Sequence, residues 1–459
     1  MPGVPARIRE RPEDFRVDEV PLGPPEGRGE HLLFQVEKRG IPTHHLVSAL
    51  ARALGVDRRA FGVAGRKDAQ AVTTQWMSVP GVSGERLRAL DLPALRVLEV
   101  GRHPRKLAVG ALAGNRFQLR LRGVDPHHLP RIRLVLETLE ARGVPNYFGP
   151  QRFGSRGDSA VVGRALLRNR WDEALQVMAG SPTEADTPLI REARAAFDAG
   201  RYGEAAELWP PAFREPRLVS RLLAEGKRSE EAVRAVGRRM LDLYRSAYQS
   251  WLFNALLAVR IDEIDRVRPG DLAYRRGGGG HLAGEPVSRP RGRARHRAES
   301  TSSHADRTGR AADPTSRQDQ GSLVEVTDPS DFGTSLRRGE LSATGPLFGP
   351  RMRRPTGEVA ALEEGILAWA GVQAGEFARR RGNRRMGLRR PLRFLLQDTQ
   401  VEEGADAHGP YVELRFRLDP GCYATAVVRE VVKGTAGAAG AGSIAPQPGK
   451  SSTSDPGRG

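Results

Sequence analysis

Cysteine is nearly absent from the 459-residue sequence, which contains only Cys422. One cysteine cannot form an internal disulfide, and it excludes zinc sites that need two or more thiolates. The same count excludes the zinc site of cytidine deaminases, which takes a pair of cysteines. Proteins held together by internal disulfides or by zinc bound to two or more cysteines are therefore excluded.

Long apolar runs are also missing. The longest lies near Trp251–Val259, and it is far too short to span a bilayer. The first residues, "MPGVPARIRERPEDF", lack the apolar core of a signal peptide. We therefore expect a soluble, cytoplasmic protein with no membrane partner.

Several common catalytic motifs do not occur. The sequence has no GxxxxGK[ST], no HExxH and no GxSxG, and "GGGG" at 277–280 lacks a strand–turn–helix setting. The ten histidines are scattered, and the pair His44–His45 is more typical of a helix start than of a metal site. These absences argue against a metal, a nucleotide cofactor and a serine nucleophile. The sequence therefore predicts no metal and no cofactor.

Positive charge is abundant: 73 Lys and Arg residues against 55 Asp and Glu give a net charge of +18. A field of that sign favours polyanions, with nucleic acid first and an anionic membrane surface second. Arginine outnumbers lysine, and its planar guanidinium suits phosphates and stacks on bases. The codon usage of a GC-rich genome explains the arginine excess equally well, although it explains the net charge less well.

Alternating patterns predict strands at both ends of the chain. Shorter strand candidates are "FRVDEV" after a Pro-Glu-Asp turn, "HLLFQVEKRG" and "LRVLEVGRH". In "NRFQLRLRGV", Phe117, Leu119 and Leu121 share one face. In "GPYVELRFRLDPG", over 409–421, the apolar face carries Val412, Leu414, Phe416 and Leu418.

Helical patterns lie between these strands. The segment 43–56 has leucines at helical spacing, and Thr43 is predicted to cap it. Residues 129–142 form a second amphipathic pattern that ends at Gly143. Its predicted stripe consists of Ile132, Val135, Leu136 and Leu139. "CYATAVVREVVK" near the end is a third candidate.

From about Ser155 the strand patterns give way to helices. The last and longest pattern predicts one apolar side made of Met240, Tyr244, Tyr248, Trp251, Leu252, Ala255 and Val259. Residues 276–321 contain almost no large apolar groups, so burial cannot offset their ordering entropy. We predict that this segment and the Gly-, Ala-, Ser- and Pro-rich tail over 434–459 are disordered.

These patterns predict one α+β domain interrupted by a mainly helical insertion domain. The first part of this α+β domain is expected over 1–154, and the second part over 389–433. The insertion domain is expected over 155–388, with the disordered segment 276–321 inside it.

The segment "AGRKDAQAVTTQW", residues 64–76, places Asp68 beside two cations and before a core strand. Spacing alone favours Asp68 as an ordinary helix N-cap. Three other loops, at 102–107, 114–117 and 146–154, are rich in glycine, amides and cations. Each loop is either a turn between elements or part of a basic cleft with stackable rings, as in RNA sites.

The segment 64–76 resembles the signature of the tRNA pseudouridine(13) synthase (TruD) family, which is close to G-x-K-D-x-x-A-x-T-x-Q. Seven further matches occur in the order of that family. They are "PEDFRVDEV", "GEHLLFQVEKRG", "RHPRKLAVGALAGNRFQLRLR", "GVPNYFGPQRFG", "SAYQSWLFNALLAVR", "GPLFGPRM" and "PGCYATAVVRE". Together they cover most of 7–433 outside the 276–321 segment.

The resemblance implies a pseudouridine synthase fold with a mixed, mostly antiparallel sheet, and tRNA as the substrate. It makes Asp68 the catalytic carboxylate and Arg9 its basic partner, with Lys67 as a further cation of the site. Asn115 is expected to hydrogen-bond the target base and Phe117 to stack on it. The family's insertion into the catalytic domain agrees with the change in pattern near Ser155.

The sequence departs from the family in two side chains and one segment. Arg9 stands at a position where the resemblance implies lysine, and arginine keeps the charge but changes its geometry. Cys422 stands where serine is usual, and the 276–321 segment is additional.

The chemistry of uridine isomerisation fits these residues without the resemblance. The N1–C1′ bond breaks, the base turns and C5 joins C1′, so the reaction needs no redox cofactor and no metal. One carboxylate suffices, either as a nucleophile or as a base toward the ribose. A neighbouring cation favours its charged form.

Our leading hypothesis is a monomeric enzyme that isomerises a uridine of tRNA, at position 13 in the D arm. The alternative from a different class is a non-catalytic, basic RNA-binding or RNA-folding protein derived from the same family. The intact K-D pair and "GNRF" argue against that alternative. A membrane-surface protein is disfavoured because no amphipathic basic helix is visible in the basic segment.

Overall fold

The computed structural model describes residues 2–92, 95–276, 323–350, 352–377 and 387–433. The two segments predicted to be disordered, 276–321 and 434–459, lie outside this range except for Arg276. The described chain divides into two compact units. One comprises 2–147 and 253–433, and the other comprises 148–252. The predicted domain boundaries stay a prediction.

Fourteen strands and thirteen helices, besides short 3₁₀ turns, are defined in the described residues. The strands are β1 (Phe15–Val20), β2 (His31–Arg39), β3 (Gly62–Val63), β4 (Val72–Pro80), β5 (Leu95–His103), β6 (Gly114–Arg122), β7 (Val144–Pro145), β8 (Leu272–Arg275), β9 (Leu323–Glu325), β10 (Leu341–Leu347), β11 (Leu388–Pro391), β12 (Arg393–Phe394), β13 (Gln397–Asp406) and β14 (Gly409–Leu418). The helices are α1 (Thr43–Leu54), α2 (Gly84–Arg88), α3 (Leu129–Arg142), α4 (Ser159–Leu167), α5 (Trp171–Ala179), α6 (Pro188–Asp198), α7 (Tyr202–Leu208), α8 (Arg214–Ala224), α9 (Ser229–Ala235), α10 (Arg238–Val259), α11 (Gly333–Arg337), α12 (Gly357–Trp369) and α13 (Ala424–Val432).

The first unit is built on an eight-stranded sheet. Its order is β13-β14-β6-β1-β4-β2-β5, and β3 also pairs with β4. Only the β1–β4 pair in this sheet is parallel. The prediction of an α+β fold with a mixed, mostly antiparallel sheet is confirmed.

One face of this sheet buries the apolar positions that alternation predicted. The predicted faces of β6 and β14 are buried in a single core with the predicted stripe of α3. Helix α13 adds Val427, Val428 and Val431 to that core. A second cluster packs α1 against β2 and β4. Period-2 and period-3.6 patterns therefore located both the strands and the helices that cover them.

The first unit also contains two smaller sheets. One has four strands in the order β11-β10-β8-β9, and the other pairs β12 with β7. Arg389 belongs to β11 of the four-stranded sheet, and its fully buried side chain pairs with Glu363 at 2.7 Å. Its Nη2 also donates to the Thr344 carbonyl at 2.7 Å. Because a buried guanidinium needs such partners, this network fixes how β10 and β11 pair.

The second unit is helical throughout its described residues, as the sequence pattern from Ser155 onward predicts. Helices α4 to α9 pack around one apolar core together with the start of α10. Trp209 is 1 % exposed at its centre. Gly163 allows a close helix contact, since a Cβ there would lie 2.1 Å from the Tyr244 carbonyl oxygen.

Three local predictions are wrong. Thr43 is the first residue of α1, and the capping position belongs to Pro42, because the Thr43 hydroxyl bonds elsewhere. No helix follows Asp68, which lies in a loop before β4, so it is not an N-cap. Val259 is 58 % exposed at the end of α10, so the apolar side predicted for that helix does not reach its last turn.

Among the residues that the structure describes, no helix has the length and apolar content needed to cross a membrane.

Candidate active site

The parallel pairing of β1 and β4 brings Arg9 and Asp68 together. Arg9 precedes β1 and Asp68 precedes β4, and parallel strands begin at the same edge of a sheet. The Arg9 Nη2 donates to the Asp68 Oδ2 at 3.0 Å. The side chain of Asp68 is 52 % exposed, whereas that of Arg9 is 22 % exposed. The carboxylate is thus held from one side and open to solvent from another.

Arg9 is held in place by an aromatic ring and by its backbone. Its guanidinium carbon lies 4.0 Å from the centre of the Phe15 ring, a cation–π contact. Its φ of 57° lies in the left-handed region, which is uncommon for a residue other than glycine. Two residues earlier, Arg7 pairs its backbone with Arg122 beside the sheet. The anchored backbone and the ring together aim the guanidinium at Asp68.

A row of side chains across the sheet changes from apolar to polar beneath this loop. Cross-strand register places Phe416, Phe117, Val17, Thr73 and Lys38 in one row on the same face. The first three belong to the apolar core, whereas Thr73 and Lys38 are polar and fully buried. The floor of the site is therefore polar at the two strands closest to Asp68.

Lys67 reaches into this polar floor beside Asp68. Its Nζ lies 2.7 Å from the Glu19 Oε2, and the two side chains are only 6 % and 1 % exposed. The same Nζ donates to the Asn115 Oδ1 at 2.5 Å. The Glu19 Oε1 accepts from the backbone N–H of Trp76 at 3.1 Å. A buried ion pair that has further hydrogen bonds of this kind fixes its members, and it fixes the orientation of the Asn115 amide.

Thr43 ties the same loop to helix α1. Its Oγ1 accepts from the backbone N–H of Lys67 at 3.0 Å and donates to the Gln75 Oε1 at 3.0 Å. Both Thr43 and Gln75 are buried. The backbone of the loop is therefore fixed on the residue just before Asp68.

Lys38 fixes the loop at Asp68 itself. Its Nζ donates to the Asp68 backbone carbonyl at 2.7 Å. Burial lowers the pKa of Lys38 from 10.5 to about 8, although Asp68 acts in the opposite direction and Lys67 in the same direction. This lysine loses its charge at a lower pH than an exposed one does.

The structure thus brings together four of the five residues that the sequence singled out: Asp68, Arg9, Lys67 and Asn115. The fifth, Phe117, lies in the apolar core and is 8 % exposed. Its ring stacks on Phe416 at 5.5 Å and meets the edge of Phe15 at 6.3 Å. Phe15 thus contacts both the Phe117 ring and the Arg9 guanidinium. The stacking of Phe117 on a base stays a prediction.

Sequence reasoning missed Lys38, Glu19 and Thr43. A signal was present for the first two, because each occupies an inward position of a strand whose other inward positions are apolar. Lys38 continues the alternation of Leu32, Phe34 and Val36, and Glu19 follows Phe15 and Val17. A charge at such a position must find a partner inside the protein. No comparable signal distinguished Thr43 from a helix cap.

Leu107 and Asn146, which lie in two of the other predicted loops (102–107 and 146–154), fasten elements of the first unit. The backbone N–H of Leu107 donates to the Ser78 Oγ at 2.8 Å. The Asn146 Nδ2 donates to the Pro391 carbonyl at 2.8 Å. At these positions the structure agrees with the interpretation of these loops as turns between elements.

No group of three or more His, Cys, Asp or Glu side chains within the described residues is arranged to hold a metal ion. Near Asp68, Arg9 is instead paired with Asp68 and Lys67 with Glu19, and Lys38 donates to a backbone carbonyl. With Arg9, Lys38 and Lys67 against Asp68 and Glu19, the described site has a formal charge of +1, counted over these five groups. Such a site is suited to an anionic or polar ligand.

Known proteins are similar to this chain over most of its length. A sequence model of the family described as "tRNA pseudouridine synthase D (TruD)" matches residues 1–302 and 300–431. A protein named tRNA pseudouridine synthase D from Geobacter metallireducens is 40 % identical over 435 residues, which cover 95 % of this chain and 96 % of that protein. One of the same name from Geotalea daltonii is 37 % identical over 434 residues, covering 94 % and 98 %.

A solved structure is also similar. The crystal structure of a Methanosarcina mazei chain assigned to tRNA pseudouridine synthase D superposes with a TM-score of 0.76 at 26 % identity. The match covers 94 % of each chain. The α+β fold and the extent of these matches define the class, a pseudouridine synthase. The chain belongs to the tRNA pseudouridine synthase D (TruD) family.

Proposed function

We propose that this protein isomerises a uridine of tRNA to pseudouridine, at position 13 in the D arm, and that Asp68 is the catalytic carboxylate. The observation that carries the proposal is the half-exposed Asp68 carboxylate, paired with Arg9 at 3.0 Å, in a chain 40 % identical to a protein of that name. Because the substrate is tRNA, the same proposal places the protein in the cytoplasm.

The reaction balances without a co-reactant. Cleavage of the N1–C1′ bond leaves its electron pair on the uracil, and the base turns so that C5 bonds to C1′. The proton of C5 is lost, and N1 gains one. The carboxylate of Asp68 serves this sequence either as a nucleophile at C1′ or as a base toward the ribose. Both roles require a carboxylate that substrate can reach, and a side chain 52 % exposed meets that requirement.

Other residues of the site are proposed to bind the target nucleotide. Lys67 donates to the Oδ1 of Asn115, so we propose that the amide Nδ2 of Asn115 donates to a uracil carbonyl. A uridine in folded tRNA must leave its stack to reach Asp68, and Phe117 is proposed to stack on the extruded base. The positive charge of the chain attracts tRNA phosphates without reading their sequence.

We also propose that one chain suffices, without metal or cofactor. An isomerisation of this kind transfers no electrons to an external acceptor.

The proposal is tested by incubating the purified protein with an unmodified tRNA transcript and mapping pseudouridine by chemical labelling and primer extension. We expect one pseudouridine at position 13, and none in a transcript that carries cytidine there. Pseudouridine at another position alone would contradict the assignment of position 13. Binding of tRNA without any pseudouridine would favour the non-catalytic RNA-binding alternative.

Substitution of Arg9 tests the ion pair. We expect Arg9→Met to lower the rate of pseudouridine formation about tenfold, because the carboxylate loses the group that orients it. Arg9→Lys should retain most of the activity, since a cation stays within reach of Asp68. Arg7→Met is the matched control, because Arg7 is 66 % exposed and pairs with Glu10 instead. Equal losses in Arg9→Met and Arg7→Met, measured in single turnovers, would contradict this role.

A further inference from the structure

Lys38 is an unusual residue for its position. It is fully buried on β2, and its neighbours along the inward face of the strand are Val36, Phe34 and Leu32. Lysine is almost never fully buried unless its charge is paired. Here its ammonium group donates to a backbone carbonyl, that of Asp68, at 2.7 Å. Burying this charge costs stability, and the contact that the buried charge makes is with the candidate catalytic residue.

The charged groups around Lys38 come from two other elements. The loop before β4 contributes Asp68, which favours the charged form of the lysine, and Lys67, which opposes it. Strand β1 contributes Glu19, which is paired with Lys67 at 2.7 Å. Since the negative charge of Glu19 largely compensates the positive charge of Lys67, the main electrostatic partner of Lys38 is Asp68.

We propose that Lys38 is a positioning residue for the reaction: its ammonium group fixes the backbone of Asp68 and places a positive charge behind the carboxylate. This inference rests on the proposed function. The hydrogen bond from Lys38 fixes the backbone of Asp68. The Arg9 guanidinium, 3.0 Å from the Asp68 Oδ2, fixes the carboxylate at the other end of the side chain. Because Lys38 binds the backbone carbonyl and Arg9 binds Oδ2, the rest of the half-exposed carboxylate stays open to the substrate.

The proposal is tested with Lys38→Met, which keeps the length of the side chain and removes both the donor and the charge. We expect the single-turnover rate at pH 7 to fall about 100-fold, as misplacement of a catalytic group by about 1 Å costs this much. The dissociation constant for tRNA should stay within about twofold, because a fully buried group does not contact RNA. Lys227→Met, at an exposed site in the second unit, should match the unaltered protein in both respects.

The pH dependence separates positioning from a purely structural role. Because burial lowers the pKa of Lys38 to about 8, its charge is present below that pH and is lost above it. We therefore expect the rate of the unaltered protein to fall as the pH rises from 8 to 10. Lys38→Arg keeps its charge throughout this interval, so its rate should fall less than that of the unaltered protein. The same alkaline loss in Lys38→Arg would overturn the proposal.

The contribution of Lys38 to the free energy of unfolding should rise with pH over the interval in which the rate falls. Between pH 8 and about 10.4 the unfolded chain still binds the lysine proton that the folded chain has released, so the contribution of Lys38 to stability rises with pH. A melting temperature that changes in this direction while the rate falls shows that the loss of rate is not unfolding. A rate of Lys38→Met that falls only in proportion to its folded fraction would overturn the proposal.

Failure of this inference differs from failure of the proposed function. If the unaltered protein forms no pseudouridine, the proposed function fails. Hydrogen exchange of the amides in 64–71 then still reports on the loop, and it should be faster in Lys38→Met than in the unaltered protein and unchanged in Lys227→Met. Unchanged exchange in Lys38→Met would show that the lysine does not position the loop, whatever the activity.

Discussion

Asp68→Asn should abolish pseudouridine formation, with a loss of rate on the order of 10⁴-fold or more. Asparagine has nearly the same shape and still offers Arg9 an oxygen acceptor, so the loop and the tRNA affinity should be retained. An amide is neither an effective nucleophile nor a base, and the chemical step should therefore fail. The measurement is the rate of pseudouridine formation in single turnovers with saturating tRNA, together with the tRNA dissociation constant.

Asp57→Asn is the matched control for this substitution. Asp57 is exposed and accepts a hydrogen bond from the backbone N–H of Arg59, a role that asparagine also fills. Its activity should equal that of the unaltered protein. Normal turnover by Asp68→Asn, or an equal loss in the two variants, would contradict the assignment of Asp68.

Lys67→Met should strongly destabilise the folded protein. It leaves the Glu19 carboxylate, 1 % exposed, without its counter-ion at 2.7 Å. Removing one partner of a buried ion pair typically lowers the free energy of unfolding by about 3–5 kcal/mol. Because Lys67 also holds Asn115, we expect weaker activity in the fraction that remains folded. Urea unfolding of the variant measures the first effect directly.

The double variant Lys67→Met with Glu19→Gln provides the control. Removing both charges leaves no uncompensated ion, so most of the lost stability should return. If the destabilisations of the two single variants simply add in the double variant, then Lys67 and Glu19 do not act as a pair.

Much of the first unit could be predicted from local patterns. Alternation in β6 and β14 identified the buried faces, and the helical stripe of α3 with its terminal Gly143 was also right. These features depend on residues within a few positions of one another, and each has a clear period. Val259 shows the limit of this approach, because the end of a helix can be exposed whatever its period.

The site could be predicted only in part. Asp68, Arg9, Lys67 and Asn115 were named from a resemblance, and the spacing around Asp68 favoured a helix cap instead. The decisive contacts join residues far apart in sequence, such as Arg9 with Asp68 and Lys67 with Asn115. They depend on the parallel pairing of β1 with β4 and on cross-strand register, which local patterns do not specify.

Lys38 illustrates what the register adds. Alternation marks it as an inward-facing charge, but it does not say which group the charge meets. Pairing of Lys38 with Thr73 on β4 places its ammonium beneath the loop that leads into that strand. A buried lysine is then understood as part of the site and not as a defect of the core.

Release of tritium from tRNA labelled at C5 of uridine tests the central claim most directly. Formation of the C5–C1′ bond expels the hydrogen of C5, whereas the composition of the nucleotide is otherwise unchanged. We predict the release of one tritium per tRNA by the unaltered protein, none by Asp68→Asn, and no difference in mass between unlabelled substrate and product. Absence of release by the unaltered protein, equal release by Asp68→Asn, or a change in nucleotide mass would contradict a uridine isomerisation that depends on Asp68.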